Sequence, residues 1–364
     1  MVRRLIRVQP IPDLRLSFAQ WIGSHHWVIW AAGILVLIFT LYYGAQGFFL
    51  RDHLPVRLVL YASSVQEEVL SQGIFPAFEE SWEAETGRDL IIEGIFGPSE
   101  VLARQINTGA PADIAVFSHA HPVMTLKSGK LIDRDTQPII IGCTPIVIIT
   151  RPGNPKNISS FSDLSQPGLA IIHANPNDSG VGQWALLAEY GSILRKHQDR
   201  QLAKQQTLDI WQNVRVLAPS ARAAMTLFEL GAADVLVTYE QDARLAKNRG
   251  ISLEIVFPEA TALAQPVAVI VDDNVSWTER DAAEAFLEFL GSSSGRQILT
   301  SYFLYESESV CQSIPGSSET FTVEDMGSWR EVHLELVRNL WLPEIEPLLD
   351  LEIAPTLLEM ESFK

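Results

Sequence analysis

The sequence is poor in cysteine and in basic residues. Only two cysteines, Cys143 and Cys311, occur in 364 residues, which excludes a disulfide-rich scaffold and a metal site built from several cysteines. Whether these two pair with each other stays open at this point. Lys and Arg total 27 against 44 Asp and Glu, so the formal net charge is -17. Nucleic-acid binders neutralise phosphates with basic residues, and this balance therefore excludes nucleic acid as a partner.

The motifs of common enzymes are also missing. The chain has no phosphate-binding loop, nucleophile elbow, zinc-protease motif or dinucleotide-binding glycine motif in a suitable context. His119 and His121 have a spacing that metal ligands can use only in extended chain, and polar surface is the simpler interpretation. We therefore expect no catalysis, no cofactor and no resident metal.

One segment lacks charge altogether. Residues 16–50 contain no Asp, Glu, Lys or Arg, and residues 27–50 are long enough to cross a hydrocarbon layer of about 30 Å. We predict a transmembrane anchor over 27–50. Basic residues cluster before it, which places residues 1–26 in the cytoplasm and the rest of this single-pass cell-membrane protein outside it, in the periplasm or beyond. A cleaved signal peptide is the alternative, but the apolar run is long for one and residues 43–45 make a poor cleavage site.

Beyond residue 51, short apolar runs alternate with segments of helical periodicity, which is the pattern of an α/β protein. We predict strands at 56–62, 90–96, 112–117, 139–150, 169–172, 234–238 and 266–271, and helices at 74–86, 101–108, 181–196, 221–230 and 278–290. The long apolar strands near 139–150 and 264–271 flank a middle block. They predict two hinge crossings between two lobes.

Three strand-to-helix turns share one composition. The turns at 61–64, 96–99 and 175–182 each place a serine hydroxyl and free backbone N–H groups at the start of a helix. The helix dipole favours an anion at such a position. Each serine alone could simply cap its helix. Three such turns at one cleft could together hold a tetrahedral oxyanion without any Arg or Lys.

Several motifs resemble one family. The LARQI run at 102–106, followed by GAPADI at 109–114, is similar to a run in molybdate binders, and ETG at 85–87 is similar to the end of their first helix. The loop from Asn175 to Trp184 resembles the NPxxSGGxRW loop of sulfate binders, and residues 286–290 resemble one of their helices. From about residue 56 to 335, the chain therefore resembles the type 2 periplasmic solute-binding proteins of the molybdate and sulfate group of ABC transporters.

The resemblance implies a two-lobed periplasmic-binding-protein type 2 fold that captures a small oxyanion for an ABC permease. It assigns residues 52–142 and 265–335 to lobe I, residues 143–264 to lobe II and residues 336–364 to a C-terminal extension. Carried over position by position, the family's ligand contacts fall on Ser64 with Ser63 beside it, Ser99, Ser179, Gly180, Val181 and Tyr239.

Departures from the family pattern leave alternatives open. Pro98 removes a backbone donor from the second turn, and Glu100 puts a carboxylate beside the expected anion site. Glu100 could stabilise its helix N-terminus, or it could indicate a cation. Ferric-iron binders of the same fold have a first turn similar to residues 61–68, and Tyr61, Tyr239, Glu67 and Glu100 could supply oxygen ligands. The third interpretation is a ligand sensor or a scaffold that takes no part in solute transport.

Overall fold

The computed structural model describes residues 30–31, 33–40, 55–306, 311 and 319–349. Residues 1–55 form one structural unit and residues 56–364 another. Within the first unit, residues 30–31 and 33–40 are helical, while the remainder of the predicted 27–50 span and the predicted cytoplasmic segment 1–26 lie outside the described residues. No helix in the described part of the chain combines the length and hydrophobicity that crossing a membrane requires.

The second unit contains two sheets. The elements of the first sheet and the helices that belong with it, which we call lobe I, are β1 (Val56–Ser63), α1 (Phe75–Thr86), β2 (Leu90–Gly97), α2 (Ser99–Asn107), β3 (Ile114–Phe117), α3 (His121–Ser128), β4 (Ile139–Ile140), β11 (Val267–Ile270), α8 (Arg280–Gly291) and α9 (Ser293–Ser301). The strand order in this sheet is β2-β1-β3-β11-β4, with β1, β2 and β3 parallel and β11 antiparallel to β3 and β4. All residues of β3 are buried, as expected for a central strand covered on both faces.

The elements of the second sheet and the helices that belong with it, which we call lobe II, are β5 (Thr144–Thr150), β6 (Ile171–Ala174), α4 (Gly180–His197), α5 (Arg200–Trp211), β7 (Val214–Ala218), α6 (Ala221–Glu229), β8 (Val235–Tyr239), α7 (Glu240–Asn248), β9 (Glu254–Val256), β10 (Ala260–Ala264) and β12 (Glu319–Phe321). The strand order in this sheet is β12-β10-β5-β8-β6-β7, and β9 also pairs with β5. The chain is thus a two-lobed α/β protein, as predicted.

The predicted strand at 139–150 divides into β4 and β5, which belong to different sheets. At Gly142 a Cβ atom would lie 2.8 Å from the Tyr305 carbonyl oxygen, so glycine permits close contact there. Cys143 and Tyr305 exchange backbone hydrogen bonds of 2.8 and 2.9 Å. This contact interrupts the apolar run and makes residues 141–143 a crossing between the lobes. The chain crosses again at 265–266, between β10 and β11.

A third crossing follows α9, because β12 pairs in parallel with β10 of lobe II. The helix beyond it, Trp329–Val332 with its wider π-helical continuation His333–Ile345, packs on the lobe II core. We call this segment the C-terminal helix. Residues 319–345 therefore lie with lobe II, whereas the resemblance assigned residues up to 335 to lobe I. Residues 350–364 of the expected extension lie outside the described residues.

A disulfide joins the first and third crossings. Cys143 and Cys311 are bonded across 168 residues of sequence, and both are buried beside Leu263. The question that the sequence left open is thereby answered. A cross-link that closes so long a loop removes many conformations from the unfolded chain.

We predict that a Cys143→Ala and Cys311→Ala double variant loses about 3 to 5 kcal/mol of unfolding free energy, because the unfolded chain regains the entropy of the closed loop. Urea unfolding of the full chain measures the loss. Reduced wild-type protein should match the variant, and an unchanged midpoint in both would contradict a stabilising role for the bond.

Candidate functional site

The carboxyl ends of β1, β2 and β3 meet at one edge of the first sheet. The parallel register pairs Ser63 with Gly97, so the turns after these strands are neighbours. Ser99 begins α2 and is almost fully buried. Its Oγ accepts a hydrogen bond of 3.0 Å from the Ser118 backbone N–H and lies 2.8 Å from the Ser118 Oγ. A pair of buried hydroxyls therefore marks this edge.

The predicted serines do not cap their helices. Ser63 and Ser179 are the N-cap residues of the segments that follow them, and neither side chain makes a capping hydrogen bond. Pro98 occupies the N-cap of α2, and no side-chain cap is present there either. Ser63, Ser99 and Ser179 are all buried. Because none of them makes a capping hydrogen bond, the simple capping interpretation does not explain them.

Helix α4 of lobe II points its N-terminus at the hydroxyl pair. A Cβ atom at Gly180 would lie 1.8 Å from the Ser118 Oγ and 2.9 Å from His119 Cδ2, so only glycine allows this approach. The first N–H groups of a helix have no intrahelical acceptor, which leaves those of Gly180 and Val181 for other partners. The positive end of the helix dipole thus faces the Ser99–Ser118 pair.

Tyr239 ends β8 and is 2% exposed. Its hydroxyl makes no hydrogen bond of regular geometry to any described residue. Burial raises the pKa of Tyr239 well above its ordinary value, and an interaction with the Ser118 side chain offsets only part of that rise. The phenol therefore stays protonated near neutral pH and can donate its proton.

The turn that carries Ser64 also reaches lobe II. The Val65 side chain joins the lobe II core, and the Gln66 amide donates to Gln241 Oε1 over 3.1 Å. Ser63 and Ser64 are therefore held near the start of α7, close in sequence to Tyr239. The structure brings Ser99, Gly180 and Tyr239 around Ser118, with Ser179 and Val181 adjacent along the chain.

Glu100 contacts lobe II rather than the end of its own helix. Its Oε1 accepts 3.1 Å from Gln183 Nε2, and its backbone N–H donates to the Asp178 carbonyl over 3.2 Å. Arg104, one turn further along α2, forms a 2.6 Å ion pair with Asp178. These contacts hold α2 against the loop before α4, and we call them the interlobe clasp.

The oxygen ligands of the ferric-iron alternative do not form one group. Tyr61 packs in a lobe I cluster with Leu102, whereas Tyr239 packs in the lobe II core. Glu67 is exposed. Among the described residues, no three His, Cys, Asp or Glu side chains are grouped to hold a metal ion.

The expectation that His119 and His121 lie on a polar surface is wrong for His119, which is fully buried. Its ring stacks on Trp329 of the C-terminal helix at 4.1 Å between centroids. The His121 ring stacks on His333 of the same helix at 3.7 Å. Both histidines also lie 3.6 Å from Glu100 Oε1. The C-terminal helix, anchored on lobe II, thus contacts lobe I at the edge of the site.

Two α/β lobes meet over buried hydroxyls and a helix N-terminus, an arrangement that is typical of two-lobed solute-binding folds. The family model described as bacterial extracellular solute-binding protein matches residues 60–304. The chain belongs to this family, in the type 2 sulfate/molybdate group that the sequence motifs indicated.

Known relatives agree with this assignment. The chain is 31% identical over 279 residues to the sulfate-binding protein of Escherichia coli. That alignment covers 72% of this chain and 84% of the relative. It is 33% identical over 242 residues to the thiosulfate-binding protein of Pseudomonas aeruginosa, in an alignment that covers 63% of this chain and 72% of the relative. The solved structure of the sulfate-binding protein SubI from Mycobacterium tuberculosis aligns with a TM-score of 0.71 and 26% identity, over 77% of this chain and 99% of that one.

We predict that acid weakens the native state through His333. Burial, together with His121 and Arg338, lowers the pKa of His333 to about 4. Since the unfolded chain binds this proton near pH 6.5, stability is present above that pH and is lost as pH falls towards 4. A His333→Phe variant keeps a stacked ring but cannot titrate. Its urea midpoint should fall less between pH 7.5 and 5 than that of wild type.

The matched control is the exposed His197, where a His197→Gln change should leave the pH dependence as in wild type. Parallel pH profiles for wild type and His333→Phe would contradict the assignment.

Proposed function

We propose that this protein is an extracytoplasmic receptor that captures a small oxyanion of the sulfate or molybdate type between its lobes and delivers it to an ABC permease. The observation that carries the proposal is the convergence of neutral donors at the interlobe surface. The Ser99 hydroxyl and the start of α4 at Gly180 both contact Ser118. The Tyr239 hydroxyl also lies close to Ser118, and all of these groups are buried. None of these hydroxyls hydrogen-bonds to a Lys or Arg among the described residues.

Neutral donors suit a buried oxyanion. Each hydrogen bond to a charged acceptor contributes about 1.5 to 3 kcal/mol, and the N-terminus of a helix carries about half a positive charge. Several such donors can replace the hydration of a sulfate-like ion without a counterion. The relatives named above are described as sulfate- and thiosulfate-binding proteins, which supports the same ligand class for this chain.

Glu100 is compatible with this proposal because its carboxylate is turned to other partners. Gln183 donates to it, and the His119 and His121 rings lie beside it. The backbone N–H of His121 donates to His119 Nδ1, so neutral His119 carries its proton on Nε2, the atom that faces Glu100. The carboxylate therefore accepts a hydrogen bond from Gln183 and lies beside the Nε2–H group of His119 at the margin of the site.

Binding would act through lobe closure, with no covalent chemistry. A ligand that contacts α2 of lobe I and α4 of lobe II at once binds the closed form better than an open one, and it shifts the population accordingly. The interlobe clasp and the two ring stacks support the closed form as well. The ligand then has to supply only the remaining difference in free energy between the two forms.

We predict that one oxyanion from a panel of sulfate, thiosulfate, molybdate, tungstate and phosphate raises the melting temperature of the full chain. A ligand at one hundred times its dissociation constant adds about 2.7 kcal/mol to the native state. Ser99→Ala and Ser179→Ala should each weaken calorimetric binding about tenfold, since each removes one hydrogen bond to a charged ligand.

Deleting the gene should slow cellular uptake of the same anion. Stabilisation by ferric citrate alone would favour the iron alternative. Stabilisation by no solute in the panel would instead favour a sensor or scaffold, and either result would contradict the oxyanion receptor.

The membrane anchor belongs to the proposal. Residues 27–50 have the length and the flanking basic residues of a span with the N-terminus in the cytoplasm. We predict that the full chain sediments with membranes and resists extraction at alkaline pH, while its C-terminal part is accessible to protease from outside the cytoplasm. A soluble product that begins after about residue 45 would establish the cleaved signal peptide instead.

A further inference from the structure

Ser118 is a buried polar residue that the sequence motifs did not identify. It directly follows β3 and is 2% exposed. Each of its polar groups is engaged. The backbone N–H donates to Ser99 Oγ, and the carbonyl accepts 2.9 Å from the indole N–H of Trp184 on α4. Residues of both lobes therefore fix the Ser118 backbone.

The Ser118 hydroxyl lies where the predicted ligand contacts converge. Its Oγ is 2.8 Å from Ser99 Oγ, and it is the atom that a Cβ at Gly180 would strike. It also interacts with the side chain of Tyr239. One hydroxyl thus touches the lobe I edge, the start of α4 and the end of β8.

Proton counting shows what this hydroxyl can donate. Ser99 Oγ already accepts the Ser118 N–H, and the two hydroxyls share one hydrogen bond in which either can be the donor. If Ser118 donates to Ser99, the acceptor capacity of Ser99 is filled and its own proton needs another acceptor. If Ser99 donates instead, the Ser118 proton needs another acceptor, which can be the Tyr239 oxygen or a ligand. In either arrangement the pair retains one O–H beyond the hydrogen bond that the two hydroxyls share.

We propose that Ser118 is a ligand-contacting residue that sets the size of oxyanion the site accepts, an inference that rests on the proposed function. Its hydroxyl supplies or orders the O–H that the pair retains, and its oxygen occupies space between the starts of α2 and α4 that a larger anion would need. Loss of that oxygen should lower the binding affinity most for the anion that fits the wild-type site. It should lower the affinity least for a larger anion with longer bonds to oxygen, because the space that opens admits the larger ion.

The test measures calorimetric affinities of the full chain for sulfate and molybdate. In Ser118→Ala, sulfate binding should weaken about tenfold, the effect of one hydrogen bond to a charged ligand, while molybdate binding changes clearly less. Ser118→Cys, which puts a bulkier and weaker donor in the same place, should shift the preference the other way, towards the smaller anion.

Thr207→Val is the matched control, since it removes a fully buried hydroxyl in α5 that donates to Ala203. It should leave both affinities unchanged even where it lowers the melting temperature. Equal losses for both anions in the Ser118 variants, or none, would overturn the role of Ser118 while the receptor itself stands. Failure of wild type to bind any oxyanion would overturn the proposed function and this inference together.

Discussion

The close approach of Gly180 to Ser118 is the constraint on which the rest of the site depends. Helix α4 begins against the end of β3 with no room for a side chain, so the positive end of its dipole faces the hydroxyls of lobe I. The Trp184 indole, one turn along the same helix, holds the Ser118 carbonyl. The interlobe clasp and the stacking of His119 on Trp329 lie beside this contact and hold the two lobes together around it. A bulkier residue at position 180 would separate the lobes and disperse the donors.

An acidic protein that holds an oxyanion must compensate for its own charge locally. With a net charge of -17, the chain repels anions at long range, and Glu100 lies close to the site. In the proposed receptor this compensation would come from dipoles and hydroxyls at short range, in a buried region where each interaction is stronger than in water. The proposed donors are buried hydroxyls and a helix N-terminus rather than a flexible cation, so packing holds them in place and their spacing can select ligands by size. A rigid set of neutral donors is therefore consistent with discrimination between anions of equal charge.

The fold was largely predictable from local sequence, and the site only in part. Short β-branched runs such as 56–62 and 234–238 predicted β1 and β8 to within a residue or two, since buried parallel strands need such runs. The turn composition predicted Ser99 and Ser179 as ligand contacts, which stay predictions, but it did not indicate Ser118, whose environment depends on strands far apart in sequence. The only local signal was a polar residue directly after an apolar strand. The Cys143–Cys311 bond and the contact of the C-terminal helix with His119 join distant segments, which no periodicity reveals.

The position of a bound anion that scatters anomalously would show directly whether the two lobes form the ligand site. In crystals of the protein grown with selenate or tungstate, we expect one strong peak bounded by the starts of α2 and α4, within hydrogen-bond distance of Ser99, the Gly180 N–H and Tyr239. The lobes should make the same contacts with each other as they do here. A peak elsewhere on the surface, or no peak between those residues while the lobes are closed, would exclude an oxyanion site at this place.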